Sequence, residues 1–274
     1  MAAPPIDPMH QFKVETLVPL PPIHLGGLTI DMSITNSVAM MLVAAAALII
    51  FLLVAGKGSV VPGRLQSAGE ALYGVIDSVL VGPIIGHAGK PYIPFVFTIF
   101  MLVFTMNLFG VVLSVGNLAG MEWTFTPTAQ LAVTATLALL TFFSVLVIGF
   151  IKNGHKMYKL VVPSGMGIAM TLMLVIIETI SFIARPLTLA MRLFGNMLGG
   201  HVVLAIFGSF VVILGMFGMA GGIALLGFLG AGLSFSLIVA LTLLELIVAF
   251  LQAFVFAALA TVYLNEVVNL GHGH

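Results

Sequence analysis

Apolar residues in this chain come in long blocks separated by short polar stretches, and block length is the main guide to its elements. A first block within residues 35–56 is long enough to cross a ~30 Å hydrocarbon core at 1.5 Å per residue. A second fills residues 92–115 and carries one strongly polar interruption, Asn107, which either lines a pathway or makes an interhelical hydrogen bond. A third covers residues 128–151, and Pro127 suits its start, because proline is tolerated in the first turn of a helix but not in its interior. Between the first two blocks, residues 64–90 mix Gln66, Glu70 and Asp77 among Leu, Val and Ile. This segment is too polar to span, so an amphipathic helix at the membrane interface is expected. Its apolar positions recur only loosely at helical spacing, which keeps a solvated loop as the alternative.

The last third departs from these measurements. Residues 165–214 hold only three charges, Glu178, Arg185 and Arg192, and show no extended loop-like run before the glycines of 215–232. As one helix this segment would be about 70 Å long, and residues 222–265 would make a second of about 60 Å. Neither can stand upright in a ~30 Å core, so two strongly tilted or bent helices forming an in-membrane hairpin are expected, with Pro186 a place to bend. The competing pattern breaks each arm into a re-entrant piece and a vertical span.

Composition agrees with the block pattern. Hydrophobic residues make up 61% of the chain and charged residues 7%, whereas about a quarter of a soluble domain is charged. The expected fold is an all-α integral membrane protein of about five membrane helices, a single membrane domain over residues 1–274 with one interfacial amphipathic helix. Nine acids balance nine bases, so no charge excess points to nucleic acid. Cysteine is absent, which removes disulfides and thiolate chemistry, and neither a metal nor a cofactor is expected. Residues 1–34 read as an outer tail, since the first 22 lack a basic region joined to an apolar core. Lys57 and Arg64 follow the first block, and Lys152, Lys156 and Lys159 follow the third. Both clusters fall on one side, which makes that side cytoplasmic, the N-terminus outer and the C-terminus cytoplasmic.

Candidate chemistry lies in the two long arms. Heptad-related positions drift only ~20°, so Glu178, Arg185 and Arg192 share nearly one line of the first arm, with Ser181, Thr188, Asn196 and Gly199 within about 80° of it. Arg192 is the charge furthest along this stripe from the basic loop. Its guanidinium keeps its proton, and placing it at the centre of a membrane costs roughly 2.5–3.5 kcal/mol on insertion scales. Gly195 and Gly199 beside it have the spacing that lets another helix approach closely. His201 faces away from Arg192. On the second arm Glu245 is the only charge within residues 223–264, Gln252 follows seven residues later on the same face, and Tyr263 is near it in angle. His201 and Glu245 could form a proton-exchanging pair with coupled titrations, or His201 could be a hydrogen-bonded packing residue. Arg185 either pairs structurally with Glu178 or takes part in a channel, and Gln252 could simply bridge helices.

The runs RPLTLAMRLFGNMLGGH (185–201) and LLELIVAFLQAFVFAALATVYL (243–264) resemble subunit a of the F-type ATP synthase, the membrane stator component facing the rotating c-ring. A weaker likeness lies in PFVFTIFMLVFTMNLFGVV (94–112), and the order of segments fits over nearly the whole chain. The resemblance implies that Arg192 is the essential arginine opposite the c-ring carboxylates, with Asn196 on the same face and Gln252 beside it. His201 and Glu245 match the family's outer-channel pair, whose residue types are exchanged in some members. Glu178 matches an acidic position of the cytoplasmic access path, and Arg185 departs from members with lysine there. The implied function is a non-catalytic, proton-translocating subunit of a bacterial inner-membrane rotary machine, working with the c-ring, the subunit b stalk and the other subunits. The alternative is a secondary transporter with Arg192 binding an anionic substrate, although no second copy of the RLFGNM region supplies the repeat such folds often show.

Overall fold

The computed structural model describes residues 13–25, 28–56, 58, 61–118, 126–154, 157, 168–219 and 224–270. The chain is an all-α membrane protein, and among the described residues five helical stretches are long and apolar enough to cross a bilayer. Ahead of them, strand β1 (Thr16–Val18) pairs antiparallel with β4 (Ile34–Thr35), and β2 (Ile23–Leu25) pairs with β3 (Leu28–Ile30). Asn36 ties this stem to the first helix: its backbone N–H donates to the Glu15 carbonyl at 3.0 Å and its Nδ2 to the Lys13 carbonyl at 3.0 Å. The Asp31 carboxylate accepts hydrogen bonds from the Ser33 hydroxyl and backbone N–H, and both hold its pKa below the ordinary value.

Helix α1 (Asn36–Ala55) is followed by α2 (Arg64–Val75), a wide π-type turn at Ile76–Val81, α3 (Gly82–Ile85) and a 3-10 turn at Gly86–Tyr92. Residues 64–90 are therefore helical rather than a loop, and they bury one side through Gln66, Gly69, Ile76, Leu80, Val81 and Ile85. Gly69 lets α2 press on α1, because a Cβ there would come within 3.0 Å of the Ala55 methyl. Helix α4 (Ile93–Leu118) comes next, and α5 (Leu131–Asn153) follows. Pro127 does not open α5: it starts a separate 3-10 turn, Pro127–Ala129, and Gln130 is extended before the α-helix begins. A proline ring favours that tight turn, and its missing N–H leaves no bond unmade there.

Both arms are unbroken. Helix α6 (Ile168–Met219) runs 52 residues straight through Pro186, and α7 (Ala224–Val268) runs 45, so the pattern of short re-entrant pieces does not hold. At 1.5 Å per residue they are about 78 and 68 Å long.

By packing, the chain forms two compact units, the first comprising Met1–Ala45, Thr105–Gln130 and Phe194–Leu251, the second Ala46–Phe104, Leu131–Leu193 and Gln252–His274. In the first, α6 and α7 run antiparallel, with Gly218 against the Phe228 ring and Gly200 against Glu245. In the second, α7 presents Ala253, Ala257, Ala260 and Leu264, all fully buried. Small side chains at this helical spacing let neighbouring helices approach closely and gain dispersion contacts, the main source of helix association where there is no water to expel. The α5 residue Gly149 accepts the Val267 side chain, and Asn153 Nδ2 donates to the Val267 carbonyl at 2.6 Å.

Candidate functional site

Helix α6 presents Arg192, Gly195, Asn196 and Gly199 as exposed positions, alternating with buried Leu193 and Met197. A helical period of 3.6 explains the division, since positions 192, 195, 196 and 199 share one side and 193 and 197 the other. A Cβ added at Gly195 or Gly199 would meet nothing within 4 Å, so the described residues leave both glycines uncovered. The neighbouring Leu187 and Met191 are exposed and apolar. Among the described residues both ion pairs belong to Arg185, and Arg192 takes part in neither.

Arg185 sits in a different setting, with only 14% of its side chain exposed. Its Nη2 lies 3.2 Å from Glu178 Oε1, seven residues earlier on α6, as the polar stripe allows. Its Nη1 donates to Glu266 Oε2 on α7. Tyr263 covers the guanidinium with its ring centroid 4.9 Å from the central carbon, and Phe182 lies at 5.8 Å. Phe142 of α5 packs edge-on against Phe182 at 4.7 Å and helps to enclose the group. A guanidinium taken out of water is tolerable only when its donors are met, and two carboxylates and two rings do this.

Glu266 was not legible as a site residue. It lies in the polar NEVVN run at the end of α7, which reads as an ordinary helix terminus. The one available signal was the antiparallel arrangement, which brings the late part of the second arm alongside the early part of the first. Tyr263, close to Gln252 in helical angle, covers Arg185.

His201 and Gln252 are buried, with 2% and 5% of their surfaces exposed. Glu245 reaches back to α6, where its carboxylate rests against Gly200, the residue beside His201; a Cβ at Gly200 would overlap Oε1. Gly200 was also missed, because the sequence drew attention to Gly195 and Gly199. The other carboxylate oxygen of Glu245, Oε2, is buried without a hydrogen-bond partner among the described residues. Asn107 is fully buried and its Nδ2 donates to the Ala249 carbonyl at 3.3 Å, which makes it an α4–α7 bridge. Thr188 returns its hydroxyl to the Ala184 and Arg185 carbonyls, and Ser181 is exposed.

Fold and site together define a multi-pass membrane protein with ionisable groups set along its two longest membrane helices. A family model described as ATP synthase A chain matches residues 38–265. Relatives named ATP synthase subunit a include one from Nitrobacter hamburgensis (strain DSM 10229 / NCIMB 13809 / X14), 45% identical over 97% of this chain and 100% of its own length. Another, from Rhodopseudomonas palustris (strain TIE-1), is 44% identical over 97% of this chain and 99% of its own. The chain belongs to the ATP synthase A chain family.

Proposed function

We propose that this chain is the proton-translocating stator subunit of a rotary ATP synthase, facing a ring of c subunits and held by a subunit b stalk. It makes no ATP itself, and coupling resides in Arg192. A rotor carboxylate crossing lipid must be neutral, since an unpaired anion there is very costly. Opposite a permanent cation the same carboxylate is better ionised. Its proton therefore leaves on arrival, into one aqueous half-channel, and another enters from a second half-channel before the site returns to lipid. Asn196 shares the rotor-facing side, Gly195 and Gly199 admit the close approach of a rotor helix, and Gln252 lies beside Arg192. Glu178 serves the cytoplasmic half-channel. His201 and Glu245 serve the outer one. Each elementary charge moved through 100 mV releases about 2.3 kcal/mol, which drives rotation.

The observation that carries this reading is the exposure of Arg192 on α6, outside both ion pairs of the described residues and beside two glycines that those residues leave uncovered. An exposed guanidinium on a membrane helix calls for a counter-ion from elsewhere, and a rotor carboxylate supplies one. Arg192→Ala is expected to abolish proton-driven ATP synthesis in reconstituted vesicles while the complex still assembles. An assembled variant that synthesises ATP at the wild-type rate would overturn the mechanism.

A further inference from the structure

Arg185 is divided between two carboxylates. It donates Nη2 to Oε1 of Glu178 and Nη1 to Oε2 of Glu266, so among the described residues each acid is engaged through one oxygen only. The guanidinium is largely enclosed, whereas the Glu178 and Glu266 side chains remain 30% and 35% exposed. Among the described residues, the charged and titratable groups of this cluster are Glu178 and Arg185 on α6, with Arg192 further along, and Tyr263 and Glu266 on α7. Helix α5 contributes Phe142, Val145 and Leu146, none of which titrates. Two formal negative charges thus share one fixed positive charge.

We propose that Glu266 is a positioning residue for proton transfer at Glu178, preventing Arg185 from locking Glu178 into a permanent ion pair. This rests on the reading of Glu178 as part of the cytoplasmic proton path. A guanidinium fork prefers to hold one carboxylate through two parallel hydrogen bonds. Glu266 takes one side of the fork, so Glu178 keeps an oxygen away from it and open to proton transfer. Without Glu266, Arg185 is free to take Glu178 through both oxygens, and the ionised form of Glu178 is held more firmly. Glu266 itself need carry no proton.

The test is ATP-driven proton pumping by the complete complex in inverted vesicles, with pH varied on the ATP side and ATP hydrolysis followed in parallel as a control. Protons are scarce on the ATP side at high pH, so the alkaline limb of the pumping profile reports on uptake through this cluster. Glu266→Gln should move this alkaline limb towards lower pH by about one unit, and Glu266→Asp should restore the wild-type profile. Arg185→Gln should move the limb the opposite way, and it provides an independent arm if Glu266→Gln fails to assemble. Uniform loss at every pH, an unmoved limb, or a shift in the same direction for Glu266→Gln and Arg185→Gln would overturn the proposal. If Arg192→Ala uncouples the complex and these profiles do not move, only the role of Glu266 falls; if Arg192→Ala stays coupled, the wider reading falls first.

Discussion

Two glycines one residue apart show how much a single methyl group can decide. Gly200 touches the Glu245 carboxylate, whereas Gly199 faces open space. Gly200→Ala must displace the Glu245 side chain, and if Glu245 serves the proton path proposed above, a shift of about 1 Å there can cost on the order of a hundredfold in rate. ATP synthesis should therefore fall steeply in vesicles with Gly200→Ala. Gly199→Ala meets nothing among the described residues, so the isolated subunit should fold and melt as wild type in detergent, and any defect should appear only in the assembled complex. Equal behaviour of the two variants in the isolated subunit would contradict this geometry. Asn107 illustrates the other kind of residue: one amide set on the Ala249 carbonyl, worth roughly 0.6 kcal/mol on average for such membrane bonds, joins two helices without any need for a channel role.

Among the elements, α7 works on two scales. Its middle holds the Glu245 carboxylate, and its last third is a stripe of buried small residues. Because Ala253, Ala257 and Ala260 leave no room for larger side chains, Ala257→Leu should overpack the helix contacts and cost about 1–3 kcal/mol. Thermal aggregation of the detergent-purified protein would measure the loss, and an unchanged midpoint would show that the contact is loose. Helix α6 continues through Pro186, although this residue has no N–H to offer the Phe182 carbonyl one turn earlier. A helix of this length exceeds the hydrocarbon thickness more than twofold, so we expect both arms to lie strongly inclined in the bilayer.

For the whole molecule the absence of cysteine is an experimental convenience, since any introduced thiol is the sole one. If the basic residues mark the cytoplasmic side, a membrane-impermeant thiol reagent should label Glu15→Cys from outside intact cells and Lys152→Cys only in inverted vesicles. Labelling of both from the same side would refute the orientation proposed here. The outward surfaces are greasy throughout: Leu53 is 70% exposed and Ile151 81%. In water such surfaces would aggregate, whereas in lipid they cost nothing. Membership of the ATP synthase A chain family leads us to expect co-purification with small membrane hairpin proteins and a soluble ATPase.

The sequence by itself determined whatever depends on local composition and on spacing within one helix. Five apolar blocks, the placing of basic residues after alternate blocks, and the Glu178, Arg185 and Arg192 stripe all follow from residues near one another in the chain. The family likeness was legible for the same reason, being carried by two continuous runs. Contacts between distant segments were decided by the tertiary structure alone. Arg185 and Glu266 are 81 positions apart, and Asn107 and Ala249 are 142 apart, so no periodicity links them. Which glycine receives a carboxylate depends on the rotation of α7 against α6, and small side chains on both helices would permit several settings. Only the packed hairpin selects one, because close-packed helices have few ways to interlock without overlap or void.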